Sequence, residues 1–145
     1  MKQLSAWMAI SMMTLVCLVG TAGAQSGKSA AAEGRWITES GNLEIDIAPC
    51  GAALCGTVVK VLANRSMSNS NASSKAEGSA MGLKILTDLM PAGEGEWKGS
   101  IYNRENGKTY DCKIEPLPGN QLKVRSYILV PLMGKTQLWR RAAAS

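Results

Sequence analysis

The stretch that decides the fold runs Trp97-Lys-Gly-Ser-Ile-Tyr102, then Asn103-Arg-Glu-Asn-Gly107, then Lys108-Thr-Tyr-Asp-Cys-Lys-Ile-Glu115. Side chains alternate with period two on both flanks. Trp97, Gly99 and Ile101 share one face of the first flank. Tyr110, Cys112 and Ile114 share one face of the second, with Thr109, Asp111, Lys113 and Glu115 opposite. Period two is the mark of a strand with one face buried. The Asn106-Gly107 pair supplies the positive φ that a hairpin connection needs.

The same pattern continues in both directions. Downstream, Leu117 to Asn120 turns the chain, and Leu122, Val124, Ser126 and Ile128 define an inward face with Lys123 and Arg125 outside. Thr136 to Arg141 is the last strand. Upstream, Arg35 to Thr38 ends in the turn residues Ser40-Gly41-Asn42. Leu43, Ile45 and Ile47 then oppose Glu44 and Asp46. Ala53 to Leu62 is a third strand and Leu83 to Leu86 a short fourth. No segment after the first two dozen residues has helical periodicity. About eight short strands joined by hairpin-length turns predict an all-β, antiparallel sandwich or up-and-down barrel.

The chain has 145 residues, a common single-domain size. Residues 1–24 read as an export signal: Lys2, an uncharged run from Leu4 to Val19, then Ala22-Gly23-Ala24. The run is shorter than the roughly 20 apolar residues of a membrane span. Cys17 follows Val16 rather than the small residue of a lipoprotein signal. Cleavage after Ala24 leaves a flexible start at 25–33 and one domain at 34–145. It also leaves 15 basic and 11 acidic side chains (16 − 1 against 11), a surplus of +4. These charges alternate with apolar residues and form no basic stripe with stacking aromatics, so nucleic acid is not an expected partner. The surplus serves solubility or loose association with an anionic membrane surface.

The sequence contains no histidine. That excludes a Ser-His-Asp triad, a Cys-His pair and a histidine-based zinc site. Neither a cofactor nor a metal site is expected. Glu44, Asp46, Asp111 and Glu115 fall on faces read as solvated, at no spacing that demands acid–base chemistry, so the protein reads as non-enzymatic.

Cys50 and Cys55 enclose Gly-Ala-Ala-Leu between two strands. Opposed residues on a hairpin lie within disulfide reach, and an exported protein meets an oxidising compartment. The pair is therefore expected to bridge. Cys112, with Tyr110 and Ile114, reads as a small core residue; intermolecular pairing is the alternative. Asn64 to Gly82, rich in Ser, Asn, Ala and Gly, is either a loop over a barrel mouth or a disordered excursion. Asn64-Arg65-Ser66 and Asn71-Ala72-Ser73 match glycosylation sequons, a pattern too common to carry weight.

Several motifs then occur in order: Gly34-Arg35-Trp36-Ile37-Thr38, Cys50-Gly51 with Leu54-Cys55-Gly56, Gly99-Ser-Ile-Tyr102 before Gly107-Lys-Thr-Tyr110, Leu122-Lys-Val-Arg125, and Gly134-Lys-Thr-Gln137 ending in Trp139-Arg-Arg141. Together, over about residues 33 to 141, they resemble the bacterial exported family known as domain of unknown function 2147. Ser126, where that family has glycine, and the segment 64–82 depart from it. The resemblance implies a periplasmic or secreted location rather than a chemistry.

More distantly, G-x-W on the first strand and an arginine near the end of the last look like the closing pair of lipocalins and related calycins. This implies a lipocalin-like barrel in which Trp36 plugs one end and Arg141, preferred to Arg140 by alternation with Trp139, stacks on it. The alternative is that Trp36 is one core aromatic among three. A closed barrel of about eight strands either fills or holds one small apolar ligand. Trp97, Ile101, Tyr110, Ile114 and Val124 are the candidate lining. A second reading is an envelope module that binds protein or glycan through loops, such as the apolar Leu129–Met133 bend, or through an edge strand.

Overall fold

The computed structural model describes residues 31–66 and 78–144. The export signal, the start of the 25–33 segment, the Asn71 sequon and residues 67–77 of the predicted loop lie outside the described residues.

Eight antiparallel strands close into a barrel in which each pairs with its sequence neighbour and the last with the first. They are β1 Gly34–Ile37, β2 Leu43–Cys50, β3 Ala53–Val61, β4 Lys84–Pro91, β5 Trp97–Asn103, β6 Lys108–Leu117, β7 Gln121–Tyr127 and β8 Gly134–Arg141. The β5–β6 hairpin pairs Ile101 with Tyr110 and Gly99 with Cys112. Its turn closes with the Gly107 N–H donating to the Asn103 carbonyl at 2.9 Å, Gly107 at φ +70°.

The up-and-down order puts the connections at two ends. Loops 38–42, 104–107 and 128–133 and the described residues 62–66 and 78–83 lie at one, and the turns at 51–52, 92–96 and 118–120 at the other. The core fills the second end. Trp36, Ile45, Ile47, Leu86, Leu89, Ile114, Leu122, Val124 and Trp139 are fully buried there. Each apolar side chain of this size contributes roughly 1.5–3 kcal/mol on leaving water. Residues 31–32 form a helical turn before β1, and Ala32 packs into the same core. The described end of the 25–33 segment, residues 31–33, thus packs against the domain.

Three local departures from the expected pattern matter. β4 is eight residues, twice the predicted length, because a register shift between Thr87 and Met90 interrupts its period. Asp88 takes φ +53° in that bulge. The bulge crosses Gly99, where a Cβ would stand 2.4 Å from the Thr87 carbonyl oxygen, so only glycine fits beneath it. Beside a register shift between Glu44 and Ile45, Glu44 keeps to the face opposite Ile45 but is not solvated as predicted. It is buried and paired with Arg35 at 3.2 Å. β7 ends at Tyr127, so Ile128, predicted inward, is exposed and Tyr127 is buried instead.

Candidate functional site

One cavity of about 470 Å³ opens at the end opposite the packed core. Its position follows from how the inward side chains change along each strand. On β8 the pleat sends Arg141, Trp139, Gln137 and Lys135 to one side, running from the packed end to the open one. On β7 the series is Leu122, Val124, Ser126. On β5 it is Trp97, Gly99, Ile101, Asn103. Above the Arg141 plug, each series passes from apolar side chains near the packed end to polar ones at the open end (Lys135, Ser126 and Asn103), so the interior is solid below and hollow above.

The floor is apolar: Leu43, Ile85, Ile101 and the buried Trp139. Trp139 Nε1 is satisfied by Gln137 Oε1 at 2.9 Å, which keeps the indole fixed. All three tyrosines of the chain, Tyr102, Tyr110 and Tyr127, border this cavity. Tyr110 accepts a hydrogen bond from Asn106 Nδ2 at 2.8 Å. Burial, and then the Asp111 carboxylate, pushes the Tyr127 phenol above its ordinary range, so it stays neutral. Among the described residues the charged lining is Arg65, Arg104 and Lys135 against Glu105, a net positive rim. Apolar walls with a few placed polar groups, at a volume of ~300–1,000 Å³, are the general form of a small-molecule site.

Asn42 holds one side of the mouth. Its Nδ2 donates to the Arg65 carbonyl at 2.6 Å and its Oδ1 accepts from the Arg65 N–H at 3.0 Å. Its own carbonyl accepts from the N–H groups of Leu62 and Ala63. Across the mouth, the Ser66 hydroxyl donates to Glu105, and Arg104 donates to the Gly78 carbonyl at 3.0 Å. The described ends of the 64–82 segment are thus tied to the β1–β2 and β5–β6 loops, with Ala80 buried.

Of the five residues predicted to line an interior, Ile101 and Tyr110 border the cavity. Trp97, Ile114 and Val124 do not; they are spent on the packed half, closer to the shut end. Alternation identified inward residues but not their height along the barrel. Arg65, Asn42, Tyr102, Tyr127 and Lys135 were not singled out, because they come together only where four loops converge. The one sequence signal that could have found part of the set is that tyrosine occurs only at three open-end positions.

At the shut end, Arg141 Cζ lies 3.9 Å from the Trp36 ring centroid. Arg141 also donates to the carbonyls of Glu33 and Ala31, the latter at 3.0 Å, and Trp36 Nε1 donates to Ala32 O at 2.9 Å. Cys50 and Cys55 are bonded, Cα to Cα 5.8 Å, across the β2–β3 hairpin. Cys112 is buried, and burial pushes its thiol up to about 12, so it holds its proton. Glu44 pairs with Arg35 and Glu115 with Lys123. None of Glu44, Asp46, Asp111 and Glu115 borders the cavity. Among the described residues no three His, Cys, Asp or Glu side chains gather as a metal site, and no helix is long and apolar enough to cross a membrane.

Residues 34–141 match the family described as "Uncharacterized protein conserved in bacteria (DUF2147)". The chain belongs to that family. Its match begins at Gly34 and ends at Arg141, the two residues that meet at the barrel seam. Among solved structures the DUF2147 chain resembles protein HP1028 from Helicobacter pylori, described as belonging to the lipocalin family. The TM-score is 0.59 at 21% identity, over 77% of this chain and 82% of that one. At that identity the likeness is one of fold: a lipocalin-like barrel. None of the curated proteins matches the chain. The bacterial family and the disulfide are compatible with an oxidising, extracytoplasmic compartment.

Proposed function

We propose that this protein is exported to the bacterial cell envelope behind a cleaved signal at 1–24 and there binds one small, largely apolar ligand, without catalysis. The observation that carries the reading is the cavity of about 470 Å³ with its apolar floor, three tyrosines and basic rim. An apolar body would rest on Ile85, Ile101 and Trp139. A polar or anionic head would meet Arg65, Arg104 and Lys135 at the mouth. Tyrosines suit the boundary between the two, since each offers an apolar ring and one hydroxyl.

The test uses protein recovered from the envelope fraction after expression of the full chain. Solvent extraction followed by mass spectrometry should release an amphipathic small molecule. A fluorescent fatty acid should show saturable energy transfer from tryptophan at one site per chain. Ile101→Trp, which fills the floor, should weaken that binding at least tenfold. Absence of both a co-purified molecule and saturable transfer would remove the carrier reading.

A second reading, recognition of a glycan or protein by the loops, draws on the polar side chains of the same mouth. The edge-strand form of that reading is limited by the closed sheet. β1 covers only Arg140 and Arg141 of β8. Beyond it, the Glu39 carboxylate accepts the Leu138 N–H at 3.1 Å, which blunts the edge. Quenching by an envelope oligosaccharide, with none by the fatty acid, would favour the loops.

A further inference from the structure

The β7–β8 connection, Ile128-Leu-Val-Pro-Leu-Met133, carries no charge, yet it sits at the open end of the barrel. Leu132 is 92% exposed, Leu129 85%, Met133 76%, with Ile128 and Val130 also exposed. Large apolar side chains gathered this way in one short loop are unusual on a soluble surface and mark an interaction site. The loop is also held in shape. Val130 N–H donates to the Ile128 carbonyl at 2.8 Å, and Met133 N–H to the Val130 carbonyl at 3.1 Å. Arg125 Nη2 donates to the Leu132 carbonyl at 3.2 Å. Leu129 bends the chain at φ +67°, a conformation that costs a leucine energy and brings no burial in return.

Charge says what meets this tip. Arg125 precedes the uncharged run and Lys135 follows it. Arg65 and Arg104 stand across the same mouth, whose lining includes Ile128 and Met133. Among the described residues the acids nearby are fewer: Glu105 bonded to Ser66, Glu39 bonded to Leu138, and Asp111 beside Tyr127. An apolar tip ringed by cations is complementary to an anionic lipid interface, which takes apolar groups a few ångströms deep and holds the flanking cations at its headgroups. A protein partner would need a cleft shaped to these side chains; a lipid surface conforms to them.

We propose that the Ile128–Met133 loop inserts shallowly into an anionic bilayer surface and seats the open end of the barrel on the membrane. Docking is reversible, because a single loop and a few cations give far less than a spanning helix. Since Ile128 and Met133 border the cavity, the docked orientation turns its mouth toward the lipid, the phase from which an apolar ligand would enter. Docking itself does not depend on what occupies the cavity.

The test compares Leu132→Trp with Ala52→Trp, a control at the exposed turn of the opposite end, using the envelope-derived protein and its parent. Vesicles contain phosphatidylcholine with 30% phosphatidylglycerol (on the order of a bacterial anionic content), with or without brominated acyl chains. The added tryptophan at 132 should shift to the blue and be quenched at least twofold by the brominated lipid, and that at 52 should not. Partitioning should fall at least fivefold on pure phosphatidylcholine, and at least tenfold in L129D/L132D. Both positions are exposed, so the double variant should fold, as near-UV circular dichroism will show. Ile101→Trp, which blocks the cavity, should dock like the parent even if ligand binding fails. Equal quenching at 52 and 132, undiminished partitioning of L129D/L132D, or loop-dependent pairing with a second protein without vesicle binding would each overturn the proposal.

Discussion

Arg141 and Trp36 are Cα partners across the seam between the last and first strands, and the guanidinium lies 3.9 Å from the indole centroid. Only two residue pairs join these strands. The stacked cation and its bonds to the Ala31 and Glu33 carbonyls therefore hold together a seam that the backbone ladder scarcely covers.

Arg141→Ala should lower stability by about 2 kcal/mol, combining a lost cation–π contact with carbonyls left unpaired. Arg141→Lys keeps the charge but not the planar fork, and should recover only part of it. Urea midpoints at constant m-value measure both. An unshifted midpoint for the alanine variant would show that the seam holds without the stack.

Gly34→Ala should cost about 2–3 kcal/mol, because φ +105° is strained for any L side chain and the new Cβ would stand 2.6 Å from Arg141 Nη1. Gly51→Ala makes a sharp control: φ is +71° and nothing lies within 4 Å, so its cost should stay near 1 kcal/mol. In a cycle with Arg141→Ala, the Gly34 cost should shrink, since the clashing group is gone.

Asn42→Ala removes both side-chain bonds to the Arg65 backbone and should cost about 1–3 kcal/mol. Hydrogen exchange at the Arg65 amide should accelerate while β5–β6 amides stay protected. Binding of the fluorescent fatty acid should weaken in parallel. Exchange unchanged at Arg65 would mean that another contact holds the mouth.

Cys112 should resist alkylation at pH 8 in the folded protein and react once urea unfolds it, as peptide mapping can follow. Burial raises its thiol from near 9 to about 12. The unfolded thiol ionises first, so the unfolded state binds fewer protons between those values. This group's stability contribution is therefore full below about pH 9 and is lost progressively as pH rises toward 12. Cys112→Ala should remove that component of the pH dependence.

Local chemistry wrote most of the barrel into the sequence. A period of two, interrupted by Gly-rich turns, is a property of consecutive residues, and it sufficed for eight antiparallel strands. Cys50 and Cys55 lie five residues apart around one hairpin, so their pairing was also a local matter. Even the choice of Arg141 over Arg140 followed from its alternation with Trp139.

What alternation could not express was where the pattern breaks and how high each residue sits. The bulge at Asp88, the burial of Glu44 against Arg35 and the early end of β7 each depend on how one strand meets its neighbour, and none leaves a mark on its own segment. The same holds for the cavity. Trp97, Ile114 and Ile101 look alike as inward residues, yet the first two lie in packed core and the third under open space. Tyr102, Tyr110, Tyr127, Arg65 and Asn42 share a mouth only because closing the sheet brings loops from four parts of the chain to one end. One-dimensional spacing determines which way a side chain faces; closure in three dimensions decides what it faces.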